Sequence, residues 1–382
     1  MVGNGPMPTA EEPIENLAET LQRVYPELAA VREIASQPVY LVGGAVRDLL
    51  LGRGRADIDL VVEGDAAALA SRLGAEVISH ERFATAKVSL DGHQVDIAAA
   101  RSERYPQPGV LPVVDPAAGV EADLDRRDFT INAMAIPLEG EARLIDPHGG
   151  RADLTAGLLR VLHPRSFADD PTRALRAARY AARFGFKLER GTAALLRKAD
   201  LGTVSADRRD AELLRLAAEA EAPQAFSLLA EWGLVELRDG GVELAAGTSG
   251  LLASDPWKGE APRDRALLVA ALGPRAGEEG LAKARPGRPS DAVALAAGRD
   301  PVELVLARAL GAEWLDRYLV EWRHIALEID GEDLIAAGVP EGPPLGRGLR
   351  EALRRKLDGE IDGREQELAV ALEAARSGDG VA

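Results

Sequence analysis

The 382-residue chain has no cysteine, which excludes disulfides, thiolate metal ligands and a cysteine nucleophile, leaving oxygen or imidazole donors for any bound cation. Its five histidines show no zinc-type pairing. No apolar run approaches a membrane span, and nothing near Met1 pairs a charged segment with an apolar one. The expectation is a soluble, cytoplasmic protein with no membrane association. Positive charge is in deficit as well: a formal net charge of −16 argues against a protein that coats nucleic acid indiscriminately. Local charge is a separate matter. Arginine clusters at Arg126-Arg127, from Arg173 to Arg183 and from Arg347 to Lys356 provide for a basic track on an acidic body. A 46% hydrophobic content supports real cores, and the length predicts roughly two to three domains.

What is present is organised around Tyr40 to Val62, YLVGGAVRDLLLGRGRADIDLVV, which reads strand, glycine pair, helix, strand. Before it, Ile14 to Ser36 carries apolar residues at helical spacing and predicts an entry helix or helix pair. After it come a helix from Ala66 to Leu73 and a hairpin, Thr85 to Leu90 with Gln94 to Ala98, turning at Asp91-Gly92. Residues 101–123 are proline-rich and aperiodic, predicting a long functional loop. Order resumes at DRRDFTINAMAIP (Asp125 to Pro137). Beyond Gly150 the pattern predicts helices only, with Gly240 to Pro262 and Pro274 to Pro301 as linkers or irregular connections.

Asp57 and Asp59 stand two apart on the second strand, so both carboxylates emerge on one face while Ile58 and Leu60 enter the core. Asp96, alternating with Val95 and Ile97, is the candidate third carboxylate. Clustered carboxylates repel unless a cation lies between them, and oxygen donors suit Mg²⁺, which keeps waters and shares itself with substrate phosphates. Gly43 and Gly44 let backbone N–H groups approach phosphate at a helix start, and Arg47 follows by one turn, its plain alternative role being to pair with Asp48. Arg126, Arg127, Asp128 and Asn132 form a second group: guanidinium forks for a triphosphate, Asp128 and Asn132 for sugar hydroxyls. The third is Asp170 and Arg173, followed by Arg176 and Arg179. Cytosine and adenine both present an amino donor beside a ring-nitrogen acceptor, whereas uracil and guanine present a carbonyl beside an N–H. A carboxylate and a guanidinium one helical turn apart would accept the first pair and reject the second. The plain alternative is a capped helix start with a local ion pair.

Five stretches, GGAVRD, DID, RRDFTINAMA, Asp146 to Arg160 and DDPTRALRAARYAARFGF, closely resemble the class II tRNA nucleotidyltransferases, the CCA-adding family that includes bacterial poly(A) polymerases. Weaker similarity continues through VSADRRDAELLRL and GEDLIAAGVPEGPPLG. The resemblance implies an α+β fold, a polymerase-β-like nucleotidyltransferase head followed by an all-α neck, body and tail. The corresponding ranges are 1–145, 146–215, 216–310 and 311–382. It further implies Mg²⁺ as cofactor, CTP and ATP as substrates and the tRNA 3′ end as acceptor. Metal ligation falls to Asp57 and Asp59, and base reading to Asp170 and Arg173. Asp169 departs from the family's usual Glu. The expected activity is addition of C and/or A to tRNA with release of pyrophosphate; CC-adding, A-adding and poly(A)-polymerising forms are alternatives. A non-catalytic RNA-binding module and a small-molecule nucleotidyltransferase are the alternatives from other classes. In the tail, Arg350, Arg354, Arg355 and Lys356 are expected to hold the tRNA backbone.

Overall fold

The computed structural model describes residues 17–53, 57–74, 78–80, 85–116, 119–274 and 277–377. The expectations for Met1 to Pro13, for the helix start near Ile14 and for Gly54 as a helix stop lie outside those residues. The chain forms two compact units, residues 1–235 and 236–382.

In the first unit, α1 (Leu17–Val24) and α2 (Leu28–Ile34) lead into β1 (Val39–Val42), α3 (Gly44–Leu50), β2 (Ile58–Val62) and α4 (Ala66–Arg72). The strands β3 (Ile78–His80), β4 (Thr85–Leu90) and β5 (His93–Ala99) come next. With β8 (Ala135–Pro137) they make a six-stranded sheet of order β3-β4-β5-β2-β1-β8. The predicted β4–β5 hairpin is present, and its turn residues Asp91 (φ 49°) and Gly92 (φ 80°) both lie left-handed, as the tight turn matching strand twist requires.

Strand β2 is parallel to β5 and antiparallel to β1. Its alternation sorts the side chains between two unequal faces. Ile58, Leu60 and Val62 enter the main core with Leu41, Val95 and Ile97, under α1 and α2. The opposite face carries Asp59 and then Val61, which packs in a smaller cluster with Val42, Val120 and Leu124. The carboxylate face is thus the thinly covered one.

Residues 101–116 and 119–123 are more ordered than expected. Strands β6 (Ser102–Arg104) and β7 (Val113–Asp115) pair antiparallel, and α5 (Val120–Asp125) closes the segment. Periodicity could not reveal three-residue strands whose pairing is long-range. A second correction comes after α6 (Gly150–Ala156), where β9 (Leu158–Leu159) pairs in parallel with β10 (Lys187–Leu188). Between them lie α7 (Ser166–Asp169) and α8 (Thr172–Phe184); α9 (Arg190–Leu196), α10 (Ala206–Ala218) and α11 (Ala222–Glu231) complete the unit.

The second unit is helical: α12 (Gly241–Leu252), α13 (Arg263–Leu272), α14 (Glu278–Lys283), α15 (Pro289–Ala296), α16 (Pro301–Ala309), α17 (Trp314–Val320), α18 (Gly331–Ala336), α19 (Pro343–Leu357) and α20 (Arg364–Arg376). The segments expected as linkers are largely α12, α14 and α15. Glycines 241, 247 and 250 weaken α12 intrinsically, yet packing against α13 overrides that propensity, with Ala245, Ala266, Leu267 and Ala270 fully buried. Of the four tail cations, Arg354 and Arg355 bond Glu351, and Lys356 bonds the fully buried Glu367. Only Arg350 among them makes no ion pair among the described residues.

Candidate active site

The site residues expected from three separate stretches of sequence all reach one cavity of about 720 Å³, which residues from the 101–112 segment and Arg208 also line. Gly43, Gly44, Asp57 and Asp59 come from the β1–β2 region, Arg126 to Asp128 and Asn132 from the segment before β8, and Asp170, Arg173, Arg176 and Arg179 from α8 and its start. Gly43 has φ 68°, a backbone conformation that favours glycine, and a Cβ there would lie 2.6 Å from an Arg127 guanidinium nitrogen and displace it.

Asp59 and Asp96 are register partners across β2 and β5. Asp57 is exposed just before β2. The Asp59 carboxyl is raised to about 6, chiefly by burial and further by Asp96 and Asp57, with Arg127 opposing. Asp96 places one oxygen 3.1 Å from Lys87 Nζ while its Oδ1 is buried with no hydrogen-bond partner among the described residues. Asp96 is not among the residues lining the cavity.

The cations lining the cavity are tied to buried carboxylates. The buried Asp123 receives two bonds from Arg126 (2.6 and 2.9 Å) and two from Arg127 (2.9 and 3.2 Å). Burial would raise its carboxyl, but these guanidiniums outweigh that and hold it below the usual range. Asp128 is buried too and lies 2.7 Å from Arg176. Burial again opposes ionisation there, yet Arg176 with Asn132, Arg173 and the Phe129 N–H keeps the carboxyl low.

Asn132 donates to Asp128 (3.0 Å) and accepts from Arg47 (2.6 Å), whose Nε bonds Asp48 (2.8 Å). Asp128, Asn132 and Arg47 therefore sit in a buried network with their principal polar atoms engaged with one another. Arg179 bonds Glu219 (3.2 Å) and stands over the Tyr180 ring.

Asp170 and Arg173 do not pair with each other. Asp170 Oδ1 accepts from Thr172 N–H (3.1 Å), Thr172 Oγ1 (2.6 Å) and Arg208 (2.9 Å), and its other oxygen makes no bond among the described residues. Arg173 donates to Ser166 Oγ and to the Arg126 carbonyl, both at 2.7 Å. Two of its five N–H donors are thereby committed. Asp169 is occupied by Arg165 at 2.9 Å.

The Poly A polymerase head domain family matches residues 39–160. A CC-adding tRNA nucleotidyltransferase of Deinococcus radiodurans is 35% identical over 346 residues, covering 86% of this chain and 87% of the relative. The chain belongs to the class II tRNA nucleotidyltransferases. An A-adding tRNA nucleotidyltransferase of Geobacter sulfurreducens is 32% identical over 92% of this chain, which spans only 47% of that relative. Against the first A-adding relatives it matches, the chain spans about half their length or less. The structure of the Thermotoga maritima CCA-adding enzyme complexed with tRNA superposes with a TM-score of 0.69 at 29% identity, covering 94% of this chain and 97% of that one.

Nucleotidyltransferases of this family normally use a divalent metal. Among the described residues no three His, Asp or Glu side chains converge tightly enough to cage an ion. The donor set fits a cation held in part by water and substrate all the same: Asp57 and Asp59 open onto the cavity, Asp59 resists ionising alone, and a buried Asp96 oxygen beside them lacks a partner among the described residues. Sequence reasoning missed Glu103, Tyr105, Leu111, Pro112, Arg183 and Arg208, all of which line the cavity. Tyr105 is raised to about 12 by burial and by Glu103, to which its hydroxyl donates at 3.0 Å. Arg208 lies in the VSADRRDAELLRL stretch, the one signal that pointed toward it.

Proposed function

We propose that the protein transfers a CMP or AMP unit from CTP or ATP to the 3′ hydroxyl of tRNA. The hydroxyl oxygen forms a bond to the α-phosphorus, the bond from that phosphorus to the bridging oxygen breaks, and pyrophosphate leaves. The observation that carries this reading is that Asp57 and Asp59 open onto the same cavity as Asp170 and Arg173, so chemistry and base selection share one space. Asp57 and Asp59, with Asp96 on the neighbouring strand, are the carboxylates of the site, and Asp57 and Asp59 are the residues that would hold Mg²⁺, which when bound would acidify the acceptor hydroxyl and offset triphosphate charge.

Arg127 and Arg126, fixed by Asp123, receive the triphosphate. The Asp128, Asn132 and Arg47 network sets the floor on which the sugar rests. The uncommitted oxygen of Asp170 accepts from the base amino group, and a remaining Arg173 N–H donates to the adjacent ring nitrogen. Residues 146–215 then serve as a neck reading the base over a head comprising residues 1–145, with the helical body and tail, 216–310 and 311–382, engaging the rest of the tRNA. The relatives divide among A-adding, CC-adding and multifunctional CCA proteins, and within that division this chain adds C, A or both.

The test uses tRNA lacking CCA, tRNA ending in CC and an unrelated RNA, each with single nucleotides. The expected result is labelled product with CTP on the first or ATP on the second, and none with UTP or GTP. Long adenosine tails on the unrelated RNA would instead identify a poly(A) polymerase. Equal use of all four nucleotides by the unaltered protein would refute the base-reading assignment.

A further inference from the structure

Strand β5 lies between β4 and β2, and the register brings three charged residues into line across them. Asp96 has Asp59 as its partner on one side and Lys87 on the other. Register partners share a face of the sheet, so Lys87, Asp96 and Asp59 form a row on the face that carries the site. The β4 and β5 residues flanking them on this face, Thr85, Ser89, Gln94 and Ala98, are uncharged. Lys87 Nζ reaches Asp96 Oδ2 at 3.1 Å, with the two side chains 54% and 48% exposed. Neither makes another ion pair among the described residues.

A pair this exposed adds little to stability. The hairpin also has anchors of its own, in the left-handed Asp91-Gly92 turn and the buried Val88, Val95 and Ile97. What the pair does decide is the state of the Asp96 carboxylate. One oxygen is engaged from β4, on the side away from β2, and Asp57 and Asp59 line the cavity while Asp96 does not. A lysine ammonium thus occupies the group that would otherwise be the third carboxylate available to a cation. Lys87 is poorly placed to act on Asp59 directly: two strand spacings separate their backbones, roughly 10 Å, about a Debye length at ordinary ionic strength.

We propose that Lys87 is a positioning residue, a tethered cation that competes with a divalent ion for the Asp96 carboxylate. The inference rests on Asp57 and Asp59 being the metal site of the proposed reaction. The pair holds Asp96 off the site in the unliganded enzyme and keeps its grip on an ion weak. Asp96 is free to turn toward Asp59 when the triphosphate contributes its own oxygens to the ion. Lys87 touches no reacting atom in this role.

The experiment measures Mn²⁺ binding to the full chain without nucleotide, by electron paramagnetic resonance of the free ion at 0.15 M salt. The unaltered protein is compared with Lys87→Met, Lys87→Gln, Lys87→Arg, Asp59→Asn and Asp96→Asn, and with Lys87→Met combined with Asp96→Asn. Thermal midpoints in chelator are recorded alongside, and the two neutral variants guard against a folding defect in either. Lys87→Met and Lys87→Gln are expected to tighten Mn²⁺ binding by roughly three- to fivefold, the scale of an exposed ion pair, and Lys87→Arg to keep the parent affinity. In the Asp96→Asn background Lys87→Met should produce no shift, because the effect passes through that carboxylate. A hairpin-anchoring role would lower the thermal midpoint and leave Mn²⁺ affinity unchanged, which overturns the proposal. Weaker binding in the neutral variants overturns it as well, since the pair would then be presenting Asp96 to the ion. An undiminished shift in the Asp96→Asn background would show Lys87 acting through space, with the same consequence. If the unaltered protein binds no Mn²⁺ that Asp59→Asn removes, the metal assignment itself falls; if that binding is present and the Lys87 variants match the parent, only the competition falls.

Discussion

Ion pairs are numerous in both units, but the pairing has opposite consequences in each. Around the cavity, guanidiniums are tied by carboxylates that are themselves buried: Arg126 and Arg127 by Asp123, Arg176 by Asp128. In the second unit many pairs are local contacts one helical turn apart on exposed faces, such as Arg354 with Glu351 and Arg317 with Glu321. A buried carboxylate fixes a cation in place and leaves its outer edge to meet an anion; a surface partner one turn away only neutralises it. Breaking a buried pair strands a charge, whereas breaking a surface pair returns both ends to water. An arginine-rich stretch in sequence can thus be a binding site in one unit and a solvated helix face in the other.

The largest expected effect that would break this comparison is at Asp59. Asp59→Asn should lower nucleotide incorporation by roughly 10³-fold or more, the scale of losing a principal electrostatic contact at a transition state. The same change should raise the thermal midpoint in chelator at pH 8. The sign comes from a folded-state carboxyl at about 6 against an ordinary 3.8. The native state holds that proton more tightly, so the penalty for ionising Asp59 is absent below about pH 4, builds up to about pH 6 and is full above it. A stability gap between variant and parent that failed to widen over that interval would contradict the assigned strain.

Next is Asp128→Asn, which removes the buried counter-charge of the partly buried Arg176. Urea unfolding of the first unit should lose about 3–5 kcal/mol. In the native protein this contribution, like that of Asp123, is present above the ordinary carboxylate range and lost as pH falls through the lowered folded values. Lys356→Met should cost the second unit about 2 kcal/mol, because Glu367 is fully buried and keeps only its backbone donors. Base selectivity should not move. Smallest is Arg354→Gln. Hydrogen bonds from Arg354 and Arg355 lower the Glu351 carboxyl to about 2, but the pair is solvated, and stability should change by no more than about 0.5 kcal/mol. A loss comparable to that of Asp128→Asn would erase the distinction between the two units.

Much of this was legible in one dimension. The strand, glycine pair and helix at Tyr40 to Leu50, the alternation of β2 and the Asp91-Gly92 hairpin arise from periodicity and turn chemistry, which are local. The two short strands β6 and β7 were not, since their pairing joins residues with no local signature. Arg47 shows a different limit: its type and spacing allow a phosphate contact or a pair with the adjacent Asp48, but Asn132, which also occupies it, comes close only in the folded chain. Among the tail cations, Arg354 and Arg355 meet Glu351 one turn away on their own helix, and Lys356 shows the same limit as Arg47, its partner Glu367 being supplied by the packing of a second helix.

By itself, the sequence determined which side chains β2 sends to each face, where the glycine turn falls and which residue types are available for metal, phosphate and base. Those depend on backbone period and side-chain chemistry, properties carried by a few neighbouring residues. Tertiary structure alone decided that Asp59 lies beside Asp96, that Asp128 meets Arg176 and that Arg208 reaches both Gly109 and Asp170. Each of those contacts closes a loop of chain, and its geometry is set by the packing of whole elements rather than by the residues it connects.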